Sequence, residues 1–343
     1  MEVSARFIRI GRQRCSFSRR KYVLVEQVPG PLSLSDGREI GCNYSRMPQL
    51  KPSDFDFRSV RRILNQLGVH PSKRRGQSFL VNQDAAAKIV ARASLATDDT
   101  VLEIGPGLGS LTNKLVQKAG RVLVVESDRR LVAWLRARFE GYANLEIVHG
   151  DALTIDLRRL LDERTLQPGR MKVVSNIPYS ISTSLIAKLF VEVSGASLFV
   201  LTVQRELATR ITAAPGGKDY GAFTVFCAYH AEMERAFTIP PSFFYPRPEV
   251  LSSVVVMRRC KIPPVSVRDE KGFFAFVRML FSQRRKMVKT TLKRAVSGII
   301  SSAELIGVLT DLRVDPTTRP ERLSLEQFAA LYDGLHEKGV HLK

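Results

Sequence analysis

Hydrophobic and polar positions change period along the chain, and the changes divide it into stretches of different character. From Met1 to about Arg46 neither a helical nor a strand period is sustained. Ser59 to Leu67 carries a short helical period that Gly68 ends. From about Gly76 to Met257 helical and strand-like pieces alternate. Asp84–Ser94, Ser110–Ala119 and Leu131–Phe139 have helical spacing, and a further helix is expected after Tyr179. Thr100–Ile104, Arg121–Val125, Leu145–Val148, Lys172–Ser175 and Ser197–Val203 read as short apolar strands, and Val250–Met257 as a late β-branched one. Beyond Ile262 the strand signal disappears. Phe273–Ala295 and Ser302–Leu309 read as helices, and Ser324-Leu-Glu-Gln327 is a capping box before another helix through Leu335.

Alternating β and α units specify a parallel sheet covered by helices. The predicted fold class is therefore α/β, a Rossmann-like sheet with a smaller C-terminal all-helical domain. The predicted organisation is a basic extension over 1–46, expected to be disordered, and a basic helical segment over 47–75. The Rossmann-like domain follows over 76–260 and the helical domain over 261–343.

Composition narrows the function classes. No apolar run approaches the ~20 residues of a membrane-spanning helix. Cys15, Cys42, Cys227 and Cys260 lie far apart, and the five histidines are as scattered. That spacing argues against a disulfide scaffold, a zinc site or a metal enzyme. The net charge of +20 is concentrated in two blocks. Residues 1–75 hold 16 Lys+Arg against 6 Asp+Glu, and residues 258–294 hold 12 against 2, whereas the remainder is neutral. Clusters of this kind bind polyanions by releasing counterions, although a solvated basic surface has the same composition. The first 25 residues hold seven basic residues and only Glu2 on the acidic side. They read equally as an organellar transit peptide, implying a mitochondrion or plastid, or as an upstream-extended start of a bacterial-type cytoplasmic protein.

In an open α/β sheet the ligand lies beyond the carboxyl ends of the strands. Gly105-Pro-Gly-Leu-Gly109, Glu126, Asp151 and Asn176 each follow a predicted strand. The loop with Gly105 and Gly107 lacks the third glycine of a dinucleotide fingerprint, because Ser110 stands there. A tight structural turn accounts for the glycines alone about as well as a ligand does. Glu126, 21 residues after Gly105, is placed to accept both hydroxyls of a ribose. Asp151, one strand later, is placed to accept from an adenine amine. Taken in register, these residues point to a nucleoside-bearing cofactor without a pyrophosphate, S-adenosylmethionine.

Asn176-Ile-Pro-Tyr179 suggests the reaction. The Asn176 side-chain oxygen and the Ile177 carbonyl could accept both hydrogens of an adenine N6 amine and aim its lone pair at an electrophilic methyl. Pro178 stiffens the loop, and Tyr179 offers an aromatic face to a base taken out of its stack. Ile239-Pro-Pro-Ser-Phe-Phe-Tyr-Pro-Arg-Pro248 would form a rigid loop. Its three aromatics, Phe243, Phe244 and Tyr245, could pack in the core, as at least one is expected to; the functional reading is that one of them closes the other side of a slot facing Tyr179.

These residues carry a resemblance. Gly76-Gln-Ser-Phe-Leu80, Glu103-Ile-Gly-Pro-Gly-Leu-Gly109, Asn176-Ile-Pro-Tyr-Ser-Ile-Ser-Thr183, Lys218-Asp-Tyr-Gly221, Phe244-Tyr-Pro-Arg-Pro248, Phe281-Ser-Gln-Arg-Arg-Lys286 and Arg319-Pro-Glu-Arg-Leu-Ser324 are similar to motifs of the KsgA-type small-subunit ribosomal RNA adenine dimethyltransferases. The resemblance runs from about Lys73 to Leu335. It implies a Rossmann-like S-adenosylmethionine-dependent methyltransferase that adds two methyls to N6 of each of two adjacent adenines. The target is the terminal hairpin loop near the small-subunit RNA 3′ end. It also implies that Ser78, Leu80, Gly105, Gly107, Glu126, Asp151 and Asn176 hold the cofactor. Asn176, Ile177, Pro178 and Tyr179 would hold the target base and Phe244 would stack on its far face. Lys73, Arg74, Arg75, Arg247, Arg284, Arg285 and Lys286 would contact ribosomal RNA. The expected partner is small-subunit RNA or the pre-ribosomal small subunit, met by a monomer without membrane contact. Two positions depart from the pattern. Ser78 stands where the family has Asn or His. Ile177 replaces the commoner Leu, as in the erythromycin-resistance methyltransferases of large-subunit RNA. Large-subunit methylation is thus one alternative. A non-catalytic RNA- or DNA-binding factor on the same fold, an assembly checkpoint or organellar transcription factor, is another.

Overall fold

A computed structural model describes residues 55–72, 76–164 and 169–341, so the readings of residues 1–46 and of Lys73, Arg74 and Arg75 lie outside the described residues. In chain order the elements are α1 (Phe57–Gln66), β1 (Phe79–Leu80), α2 (Gln83–Ala91), β2 (Thr100–Ile104), α3 (Thr112–Leu115), β3 (Arg121–Glu126), α4 (Arg129–Arg138) and β4 (Leu145–His149). There follow α5 (Leu157–Asp162), β5 (Met171–Asn176), α6 (Ser182–Glu192), β6 (Ala196–Gln204), α7 (Arg205–Ile211), α8 (Ala222–His230), β7 (Ala231–Ile239), β8 (Phe244–Tyr245) and β9 (Ser252–Arg259). The C-terminal helices are α9 (Glu270–Ser282), α10 (Val288–Ala295), α11 (Ser302–Asp311) and α12 (Leu325–Glu337).

Seven strands form one sheet in the order β4-β3-β2-β5-β6-β9-β7. Strands β2 to β6 are parallel, and β9 runs antiparallel between β6 and β7. The chain steps outward from β2 to β4 and then returns to β5 on the other side of β2. This reversal makes the β2/β5 junction the switch point, where α/β sheets open a ligand crevice. Main-chain pairing of β2 with β5 ends at Leu102 and Val173, and the strands splay beyond it. Across the gap the buried Ser175 Oγ donates to the Ile104 carbonyl at 2.6 Å, which holds the two strand ends together.

Both faces of the sheet are covered, which is why its central strands read as nearly continuous apolar runs. Val101, Val122, Val124, Val174 and Val200 pack under α1 to α4. Leu102, Leu123, Val173, Phe199 and Leu201 face α5 to α7. A third core fills the space among α9 to α12 and takes in Tyr220, Val225 and Tyr229, which ties the C-terminal helices to α8.

Two expectations differ from the structure because tertiary contacts override local periodicity, and one strand, β7, was not anticipated. The single helix expected over 273–295 is two, α9 and α10. At the break Arg284 bonds the Lys218 carbonyl at 2.6 Å and Glu321 at 3.1 Å, and Val288 N–H donates to the Thr318 carbonyl at 2.8 Å. The helix expected over 110–119 contracts to α3, with i to i−3 turns at Gly109 before it and Lys118 after it. Strand β7 carries no clean alternation because it is an edge strand whose register shifts between Arg235 and Phe237. The capping box is present: Ser324 Oγ accepts from Gln327 N–H, and Gln327 accepts from Ser324 N–H.

A titratable carboxyl lies inside the sheet. Glu103 of β2 is fully buried and accepts a 2.7 Å hydrogen bond from Thr112 Oγ1, joining the strand to α3. Burial pushes its carboxyl up to about 8, against the Thr112 bond and with help from the charge of Glu126. A folded pKa above the unfolded value contributes stability that is complete in acid and is lost as pH rises through the folded value. Thermal melts of Glu103→Gln beside the native protein should therefore diverge. The native Tm should fall relative to the variant between about pH 5 and about pH 8, by several degrees, and then run parallel. A gap that does not change with pH would contradict a buried, protonated Glu103.

Candidate active site

The crevice at the switch point is a cleft partly open to solvent. Its walls are the loop after β2, the ends of β3 and β5, the turn after β4, and a strap formed by Gly76 to Leu80. Gly105, Gly107 and Gly109 all adopt positive φ, so the loop turns in a conformation that side chains resist. A Cβ on Gly107 would also sit 2.8 Å from the Phe79 ring, which closes the strap over the loop.

Glu126 ends β3, almost fully buried, with its carboxylate directed at the cleft by backbone donors. Oε1 accepts from Ser127 N–H at 2.8 Å and Asp128 N–H at 3.0 Å, and Oε2 from Gly107 N–H at 3.2 Å. Burial raises its pKa and these bonds oppose the rise. Asp151 sits at the rim, exposed, where Oδ1 accepts from Leu153 N–H at 2.9 Å and shapes the turn.

Asn176 closes β5. Its Nδ2 donates to the Ser78 carbonyl at 3.0 Å, which fixes the amide plane and leaves Oδ1 as the remaining acceptor. That oxygen is buried and has no hydrogen-bond partner among the described residues. An unpaired buried acceptor costs about 1–3 kcal/mol, so its persistence here marks a place where a donor from outside fits. Ile177 is buried beneath the site and Pro178 turns the chain into a 3₁₀ turn at Tyr179–Ile181. Tyr179 N–H donates weakly to the Gly76 carbonyl at 3.4 Å, and Gly76 has no room for a side chain: a Cβ would lie 2.7 Å from Ser180 N.

A second, more open cleft adjoins the first and shares Gly76, Gln77, Ser78 and Tyr179 with it. Its far wall is Pro246, Arg247 and Pro248. Here one predicted role needs correction, and the bonds made by Ser78 and Arg284 refine two others. Phe244 is completely buried, because β8 pairs with β1 in a two-stranded ribbon that sets Phe244 beside Leu80 and turns its ring into the core. It does not line the second cleft, and the proline-flanked segment after it stands across from Tyr179 instead. Ser78 does not present a free side chain to the cofactor cleft, since its Oγ donates to the Pro246 carbonyl at 3.0 Å and pins the strap to that segment. Leu80 is buried and walls the first cleft. Arg284 is consumed by Glu321 and the Lys218 carbonyl and lies in a turn, so it staples the helices and is not a free cation; Arg285 and Lys286 beside it are exposed.

Arg247 is exposed at the mouth of the second cleft, 5.7 Å over the Phe57 ring of α1, and Phe57 packs edge-on against Tyr245. Arg58, Arg61 and Arg62 are exposed on the same helix. Two residues escaped the sequence reading, one lining the second cleft and one behind it. Gln204 ends β6 and lines the second cleft, and the strand-end rule applied to the fifth predicted strand would have found it. Ser252 opens β9 and bonds the Tyr179 hydroxyl, a contact between residues 73 apart that no local pattern announces.

Comparison with known proteins agrees with this geometry. The family model "Ribosomal RNA adenine dimethylase" matches residues 70–335. The chain is 40% identical over 276 residues to Ribosomal RNA small subunit methyltransferase A of Halothermothrix orenii, across 80% of this chain and 92% of that one. Among solved structures it is similar to a dimethyladenosine transferase from Plasmodium falciparum, with TM-score 0.67 and 27% identity over 77% of this chain and 100% of the other. It is also similar to the 23S rRNA methyltransferase ErmE, with TM-score 0.58 and 26% identity over 75% and 99%. The chain belongs to the ribosomal RNA adenine dimethylase family, and it is an S-adenosylmethionine-dependent ribosomal RNA adenine dimethyltransferase.

Proposed function

We propose that the enzyme adds two methyl groups to N6 of each of two adjacent adenines in the 3′-terminal hairpin loop of small-subunit ribosomal RNA, on the assembling subunit. The observation that carries this reading is the buried Oδ1 of Asn176, an acceptor without a partner among the described residues, beside Tyr179, which both clefts share.

The residues of the first cleft fit S-adenosylmethionine. Glu126 would accept from the ribose hydroxyls, Asp151 would accept from the cofactor's adenine amine, and Gly105 and Gly107 let the backbone come close. Leu80 and the Ser78 backbone would wall the far side. When bound, the cofactor supplies an electrophilic methyl group. Asn176 Oδ1 and the Ile177 carbonyl then accept the two amine hydrogens of the target base, turning the nitrogen lone pair out of the ring. Pro178 limits the freedom of that loop. Tyr179 offers one face to the flipped base, and the Pro246–Pro248 segment takes the opposite side in place of Phe244. No strong base is needed before attack, since the amine proton becomes acidic only once the nitrogen is methylated, and water can take it. The work is positioning and electrostatics. Arg247 with the arginines of α1 would hold the strand near the target, and Arg285 and Lys286 would meet RNA from the helical side. Lys73, Arg74 and Arg75 belong to the same proposal.

Immature small subunits incubated with the enzyme and labelled cofactor, then mapped by primer extension, should stop at two neighbouring adenines near the small-subunit RNA 3′ end. Stops confined to large-subunit RNA would favour the erythromycin-resistance type and overturn the proposal. For the cofactor, calorimetry on Glu126→Gln should show affinity reduced roughly 10- to 100-fold, the loss of hydrogen bonds to a charged acceptor, with RNA affinity unchanged. Native cofactor affinity in that variant would remove Glu126 from the site.

A further inference from the structure

Tyr179 stands on a single 3₁₀ turn, a weak support for a ring that must present one face. Its hydroxyl, however, lies 2.6 Å from Ser252 Oγ. Ser252 is completely buried and opens β9, where it pairs with Gln204 of β6 on one side and Ile239 of β7 on the other. It is therefore held within the sheet from both flanks, whereas the tyrosine backbone belongs to a loop. That backbone N–H reaches the Gly76 carbonyl of the strap only weakly, so the phenol bond to the sheet is what fixes the ring. Burial keeps the phenol above its usual range, so it remains protonated.

The geometry points to Ser252 as a positioning residue for methyl transfer: its hydroxyl tethers the phenol of Tyr179, so that the ring, and not the hydroxyl, is what meets the target base. The inference rests on the reading above that Tyr179 faces that base. It assigns the phenolic oxygen no contact with substrate and no role in moving a proton. It also explains why a tyrosine stands here and not a phenylalanine. Two rotatable side-chain bonds otherwise leave the ring of a loop residue free to turn, and one short bond to a rigid strand removes that freedom.

A double-mutant cycle in the full-length protein tests this, with single-turnover methyl transfer on immature small subunits at saturating cofactor as the readout. Tyr179→Phe and Ser252→Ala should each slow transfer by a similar factor, roughly tenfold for one hydrogen bond. The double variant should be no slower than either single, because both remove the same bond. Cofactor affinity should stay native in all three. A lesion in β9 alone would not reproduce the Tyr179→Phe value, so the match separates positioning from folding. Additive losses, native rates in Tyr179→Phe, or a Tyr179→Phe loss far beyond that of Ser252→Ala would overturn the tether. Tyr179→Ala distinguishes the two levels. Native transfer by that variant would refute the assignment of Tyr179 to the base, whereas a loss above 100-fold with additive single variants would refute the tether alone.

Discussion

The site depends on how one amide is held. Asn176 could rotate its side chain to satisfy either end, but the Ser78 carbonyl captures Nδ2 and so commits Oδ1 to the cleft. That bond exists only because the strap lies across the ends of β2 and β5. The strap in turn is held by the β1/β8 ribbon, by Ser78 Oγ on Pro246, and by Gly76 packed without clearance against the Tyr179–Ser180 backbone. Local pieces that look independent in the chain therefore converge on the orientation of a single acceptor. An acceptor left buried without a partner is a cost to folding, and here the cost is repaid when a donor arrives.

The same contacts divide the labour between the two clefts. The first is built from strand ends and a glycine loop, with Glu126 held by three backbone N–H groups so that its carboxylate is pre-oriented. The second is built from the strap, the Tyr179 turn and the proline-flanked segment, with cations at its mouth. Gly76, Gln77, Ser78 and Tyr179 border both, so the reacting groups of cofactor and base would meet across a shared wall. Along the sequence the neutral catalytic stretch lies between two basic ones, and under the proposed function long-range charge would gather RNA while short-range geometry selects the atom.

Much of this was legible in the chain because strand ends are legible. Thr100–Ile104 is a strand as read, and the strands closed by Glu126 and Asn176 differ from the reading only by terminal residues. Once those ends are placed, the sheet's switch point brings Gly105, Glu126, Asp151 and Asn176 together without further information. What the chain did not disclose depends on distant pairing. Phe244, by resemblance a face of the base slot, is turned inward by pairing with Leu80. Arg284 reads as a free cation in a basic run, yet Glu321 and the Lys218 carbonyl claim it. Ser252 reads as a small residue before a run of valines, and only the sheet order places it under Tyr179. Side-chain pairs far apart in sequence leave no periodic trace.

The central claim is that the free oxygen of Asn176 aims the adenine amine. The most direct measurement is single-turnover methyl transfer by Asn176→Ala at saturating cofactor and immature small subunits, with subunit binding followed in parallel. The account predicts a rate lower by roughly 100- to 1,000-fold, as for loss of one preorganised polar group, with binding retained. Transfer within a few-fold of the native rate would contradict it.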